Sequence, residues 1–167
     1  MKLYLIRHAT PVIPNYKDFP GPSLGEKGKQ EAQKITKFLK EKTIHNILIS
    51  DYTRVLETLK PYQDYTNCTA KVITELRERE NEIETHEELV DRVQNWFEKF
   101  LRKEPLHNTA IFSHCGPINM ILEYLDKEKT ILNYPYVCKH LCLTPKGGVW
   151  LLNVVDKKLQ GGELYFL

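Results

Sequence analysis

Short apolar runs alternate with longer amphipathic stretches along most of this chain, and that alternation leaves few folds open. Strand-like runs lie near residues 2–6, 47–50, 71–74 and 109–113. Helix-like runs follow near 26–42, 52–65, 85–103 and 117–125. A strand–helix–strand order of this kind predicts an α/β fold with a mostly parallel central sheet and helices on both faces, an α/β/α sandwich. The helix after Thr85 has the clearest signature. Thr85 and Glu88 stand at capping-box spacing, and Leu89, Val93, Trp96, Phe97 and Phe100 then form one apolar stripe that reads as core. Near the C-terminus, Leu141–Leu143 and Val149–Val155 flank Pro145-Lys146-Gly147-Gly148, which predicts an antiparallel hairpin at the sheet edge. No linker, repeat or low-complexity tract interrupts the pattern, so residues 1–167 are expected to form a single domain.

The ends of two strands carry the chemistry. Leu3, Tyr4, Leu5 and Ile6 run straight into Arg7 and His8. In open α/β sheets, ligands bind beyond the carboxyl ends of strands. An arginine there can grip an anion with two parallel hydrogen bonds, and a histidine can serve as base or nucleophile near neutral pH. Thr109–Ser113 repeats the design with His114 at its end, then Cys115, Gly116 and Pro117 opening a helix. Proline suits a first helical turn, and the N–H groups of that turn favour an anion. A third stretch, NILISDYTRVLETL at 46–59, supplies Arg54 in the first turn of its helix, with Ser50 or Asp51 as the expected cap. Arginine opposes the helix dipole at that place, which makes sense if it faces an anion. Taken singly, each of these residues also fits a solvated surface position.

Together these segments resemble the histidine phosphatase superfamily, also called the phosphoglycerate mutase-like family. The family's L-x-R-H-G/A motif is matched by LIRHA with Arg7 and His8. L-T-x-x-G-x-x-Q-A is matched loosely by Leu24, Gly28 and Ala32, with Gly25 and Glu31 departing from it. S-D-L-x-R-A-x-x-T is matched by Ser50, Asp51, Arg54 and Thr58, and L-R-E by Leu76, Arg77 and Glu78. The E-S segment and the following R-V are matched by Glu84, Thr85, Arg92 and Val93. S-H-G-G is matched by SHCG, with Cys115 in a glycine's place. The motifs run in order over most of the chain. The resemblance implies that His8 is phosphorylated during turnover and that Arg7, Arg54 and His114 surround the phosphoryl oxygens. It places the Cys115 N–H as an added donor and Glu78 as the acid that protonates the leaving alkoxide. Glu82 is the fallback acid in the acidic run LRERENEIE. His114 is expected to be protonated when phosphate is bound.

The reading that follows is a metal-independent phosphomonoesterase without a cofactor, acting on a small phosphate ester or a phosphorylated protein. Two alternatives stand beside it: a phosphoglycerate mutase-type phosphotransferase, and a catalytically silent phosphate-binding module. The mutase pattern R-H-G-E-T-x-x-N is not kept, since Thr10 replaces the Glu and Pro14 falls where the Asn would be. The family's W-E-G segment is missing, and six residues separate Glu78 from Thr85. A mutase must retain its intermediate, so little room for a lid favours hydrolysis. The proline-rich segment 11–23 is expected to overhang the pocket.

Composition excludes several classes. A net charge of +2 gives no broad polyanion-binding face, so nucleic acid is not an expected partner. The apolar stretches are too short to span a bilayer, and Arg7 and His8 interrupt the only early one, so no signal peptide or membrane span is expected and the cytoplasm is the default location. The oligomeric state is left open. Cys138, His140 and Cys142 alternate at two-residue spacing, but no second zinc-type pair accompanies them and the alternation equally fits a strand, so no metal site is assigned. Disulfides are not expected in the cytoplasm, and Cys115 reads as a small residue or a thiol activated by nearby arginines.

Overall fold

Strand β1 (Lys2–Arg7) lies inside the sheet because its four central residues are buried on both sides. The computed structural model describes residues 1–14, 16, 18–80, 83–103, 107–127 and 143–167. Its six-stranded sheet has the order β3-β2-β4-β1-β5-β6. Strands β2 (Asn46–Ile49), β3 (Lys71–Val72) and β4 (Thr109–Ser113) run parallel to one another and to β1. Strands β5 (Val149–Val155) and β6 (Lys158–Tyr165) close the far edge antiparallel.

Alternation along the strands sorts the core onto two faces. Leu3 and Leu5 of β1, with Leu48, Ile111, Trp150 and Leu152, face helices α3 (His86–Leu101) and α4 (Cys115–Leu125). Tyr4 and Ile6, with Ile47, Ile49, Ala110 and Phe112, face α1 (Glu26–Leu39) and α2 (Thr53–Thr66). Three helices each turn one apolar stripe inward: Ala32, Ile35 and Leu39 from α1; Val55, Leu59 and Tyr62 from α2; Leu89, Val93, Phe97 and Leu101 from α3. The Thr85–Glu88 capping box is formed in both directions. The expected α/β sandwich with a C-terminal hairpin is therefore the observed fold.

Two local expectations are corrected. The hairpin joins β5 to β6 through Asp156 and Lys157, both at positive φ, and not through residues 145–148. Residues 141 and 142 lie outside the described residues, as do Glu82, Cys138 and His140. Neither Ser50 nor Asp51 caps α2; Tyr52 is the residue before its first turn and makes no side-chain cap. Both polar side chains are instead spent on site contacts given below. Among the described residues, no helix is long and apolar enough to cross a membrane.

The sheet order creates one crevice. The chain leaves β1 toward α1 on one face and leaves β4 toward α4 on the other, while β1 and β4 are neighbours. A switch of this kind opens a gap at the carboxyl ends of the two strands. Their register pairs Arg7 with Ser113, so His8 and His114 leave the sheet side by side.

Candidate active site

His8 and His114 stand with ring centroids 5.2 Å apart. The His8 backbone N–H donates to the Ser113 carbonyl at 2.9 Å, which extends the β1–β4 ladder one step and fixes both residues. A strand end would ordinarily be exposed, yet His8 is 5% exposed and His114 is fully buried. The Nδ1–H of His8 donates to the Ala9 carbonyl at 2.8 Å. This sets the tautomer and leaves Nε2 with its lone pair, free of any hydrogen bond to the described residues. Burial, then the charges of Arg54 and Arg7, hold the imidazole well below the ordinary histidine range, so it is neutral.

The other side chains come from neighbouring strand ends. Ser50, just past β2, shares a 2.9 Å hydrogen bond with His114 Nε2. Arg54 Nη2 donates to His114 Nδ1 at 3.1 Å. An arginine can only donate, so Nδ1 accepts and Nε2–H donates to the serine. His114 is thus neutral here. Burial and the charges around it push its ionisation far below the usual range. Protonation of His114, expected from the sequence, would cost this hydrogen bond to Arg54 and requires an anion to compensate.

Arg54 is 2% exposed, and its Nη1 is buried without a partner. Its guanidinium lies 4.6 Å over the Tyr52 ring, which in turn meets the His114 ring edge-on at 4.9 Å. The Tyr52 hydroxyl donates to Glu80 at 2.6 Å, and burial together with that carboxylate raises its ionisation strongly. Arg7 Nη1 donates to the Thr144 carbonyl at 2.7 Å. Thr58 ties α2 to the end of β1: its hydroxyl donates to the Arg54 carbonyl at 2.6 Å and accepts the Ala9 N–H at 2.9 Å. Gly28 is needed where α1 passes this segment, because a Cβ there would overlap the Thr10 carbonyl.

Glu78 reaches the same crevice from the opposite wall. Its Oε1 accepts the Gly116 N–H at 3.2 Å, in the first turn of α4, and the Arg79 N–H at 3.1 Å. A Cβ on Gly116 would sit 2.5 Å from that oxygen, so the glycine makes space for the carboxylate. The segment before Glu78 is pinned twice. Ser113 donates to the Leu76 carbonyl at 2.7 Å, and Arg92 donates to the Glu75 carbonyl at 2.6 Å while gripping Glu84 with two 2.6 Å bonds. Asp51 holds Arg77 with two bonds, and the Arg77 guanidinium covers the Phe19 ring at 4.6 Å. Phe19 packs edge-on against Tyr52 at 5.4 Å.

The structure thus gathers Arg7, His8, Arg54, Glu78 and His114 in one crevice, with Cys115 as the first residue of α4. Cys115 is disulfide-bonded, against the expectation of reduced cysteines, and so has no thiol to activate; Cys68 is free. The compartment argument concerns where disulfides persist, not whether geometry permits one. No group of three or more metal-ligating side chains occurs among the described residues. Ser50, Tyr52 and Thr58 were missed as site residues. The family motif marks Ser50 and Thr58 but assigns them no contact, and nothing in the sequence marks Tyr52.

Both histidines are neutral in the fold and take up protons near the ordinary histidine range when unfolded. The unfolded chain therefore binds more protons below about pH 6.5, and stability falls as pH drops through that point. Melting temperature measured from pH 7.5 down to 5 should decline, and inorganic phosphate should recover part of the loss. A melting temperature flat over that range would contradict two buried neutral imidazoles.

No curated protein sequence matches the chain. Solved structures share its fold. The alpha-ribazole phosphatase from Shigella flexneri is 17% identical, with a TM-score of 0.78 over 95% of this chain and 93% of that one. A mycobacterial glucosyl-3-phosphoglycerate phosphatase is 16% identical, with a TM-score of 0.72 over 98% and 96%. A putative phosphohistidine phosphatase from Agrobacterium tumefaciens is 18% identical, with a TM-score of 0.66 over 97% and 96%. The sequence profile of the histidine phosphatase superfamily, branch 1, matches residues 3–83 and 79–144, and the chain belongs to that superfamily.

Proposed function

We propose that this protein is a phosphomonoesterase that works without a metal and forms a phosphohistidine on His8 Nε2. The observation that carries the reading is the buried, unpartnered Nη1 of Arg54 beside a neutral histidine whose Nε2 is free. A buried guanidinium N–H without a partner is costly unless an anion arrives to take it. In the first step the Nε2 lone pair attacks phosphorus and the ester oxygen departs. Arg7 and Arg54 stabilise charge on the equatorial oxygens, with the Cys115 N–H as an added donor. His114 gains its proton when the dianion is bound, which offsets the burial and the neighbouring positive charges that otherwise keep it neutral. Glu78 protonates the leaving oxygen, and its carboxylate then activates the water that attacks the phosphohistidine, releasing inorganic phosphate. Hydrolysis is preferred over transfer between positions of one substrate because only six residues separate Glu78 from Thr85. The substrate is a small phosphate ester or a phosphorylated side chain.

A chromogenic aryl phosphate should be hydrolysed in the presence of EDTA, with vanadate and inorganic phosphate competing. Activity lost in EDTA and restored by zinc would overturn the reading in favour of a metal site.

The acid role is tested by two substitutions. Glu78→Gln should slow an alkyl phosphate strongly and an aryl phosphate much less, since an aryl oxide departs without a proton. Gly116→Ala should mimic it, because the added methyl would stand 2.5 Å from Glu78 Oε1 and displace the carboxylate, while meeting Leu89 Cδ2 at 3.2 Å. Equal loss on both esters would move the acid role elsewhere.

A further inference from the structure

The turn at residues 144–148 is not the hairpin loop its sequence suggests, and its place in the fold gives it another use. Arg7 N–H donates to the Gly148 carbonyl, and the Gly147 N–H donates to the His8 carbonyl, both at 3.1 Å. The Thr144 carbonyl takes Arg7 Nη1, and its hydroxyl takes the Trp150 indole N–H at 2.9 Å. The turn closes on itself through Gly148 N–H to the Pro145 carbonyl at 3.0 Å. The backbone on either side of Lys146 is therefore bolted to the strand end that carries Arg7 and His8.

Lys146 is half-buried and makes no hydrogen bond or ion pair with the described residues. The nearest available carboxylate is already engaged: Glu31 accepts the Thr10 N–H at 2.7 Å and its hydroxyl at 3.1 Å, with Lys27 at 3.7 Å. The Lys146 charge is felt at His8, and burial with the charges of Arg7 and Arg54 lowers its own ionisation. Three cations thus converge on one crevice. Of the charges acting on the Lys146 ammonium, Arg7, Arg54 and Lys27 oppose it and the Glu31 carboxylate favours it.

We propose that Lys146 recognises a second anionic group, a carboxylate or another phosphate, on the leaving-group portion of the substrate. It is a specificity residue rather than part of the phosphoryl-transfer machinery. The proposal rests on the phosphate-site reading above but not on turnover, so binding tests it separately.

The probes are two non-hydrolysable ligands of matched length, 3-phosphonopropionate and propylphosphonate, titrated calorimetrically at low salt. The native protein should prefer the carboxylate-bearing ligand about tenfold, the worth of one charge-assisted hydrogen bond. Lys146→Ala should erase that preference while leaving propylphosphonate affinity within about twofold, and Lys146→Arg should keep it. Absence of any preference in the native protein overturns the proposal. So does a preference that survives in Lys146→Ala, or an equal loss for both ligands, which would place the ammonium on the phosphoryl group itself. Failure to hydrolyse a chromogenic ester would count against the phosphatase reading alone.

Discussion

His8→Ala should abolish turnover, by about a thousandfold or more, because removal of the proposed nucleophile leaves only binding and electrostatic terms. The native protein mixed briefly with substrate should carry a phosphoryl group that survives base and is lost in acid, and the variant should carry none. The variant should still fold. It loses one buried hydrogen bond, Nδ1–H to the Ala9 carbonyl, about 1 kcal/mol, together with the packing of a buried imidazole. The backbone bonds that place residue 8, to Ser113 and from Gly147, do not involve the side chain. Because the native imidazole is held neutral well below the ordinary histidine range, the nucleophile should not limit activity on the acid side until well below pH 6.5. A variant with near-native turnover, or a phosphoryl adduct that persists in acid, would end the assignment.

The parts of this site that were legible in the sequence are those where local pattern and chemistry coincide. An apolar run that stops at a charged or titratable residue marks a strand end, and Arg7, His8 and His114 each stand at such a stop. Which strands become neighbours is a long-range matter, so the meeting of His8 with His114 follows only from the order β4-β1. The same limit hid the work of Ser50. Its side chain fits a helix cap by local rules, but the buried His114 Nε2–H competes for it and wins, because an unpaired buried donor costs more than a missing cap that Tyr52 leaves to backbone. The hairpin was misplaced because Pro-Lys-Gly-Gly is the stronger turn signal by composition. Asp156-Lys157 makes the actual turn with two non-glycine residues at positive φ, which sequence preference ranks lower. The neutral state of His114 without phosphate was not legible in the sequence because it depends on Arg54 reaching Nδ1, a contact across 60 residues of chain.

Arg54→Ala should lower kcat/KM by about a hundredfold or more, the usual cost of one preorganised donor to the transition state. The structure adds a second expectation about stability. Arg54 is 2% exposed with Nη1 unpartnered, so the folded protein without phosphate bears the cost of a buried, incompletely paired charge. Its removal relieves that cost and leaves the His114 Nδ1 without its donor, a loss of about 1–2 kcal/mol. These opposing terms are of similar size, so the melting temperature without ligand should change little while the stabilisation by added phosphate should largely vanish. Arg54→Lys should recover only part of the activity. One ammonium is a point charge and cannot offer an anion the fixed fork of donors that a guanidinium presents. A lysine variant of full activity would reduce Arg54 to a point charge. An alanine variant that loses stability in proportion to its activity, and still gains as much from phosphate as the native protein, would show Arg54 to be a structural residue and leave the crevice without its principal anion donor.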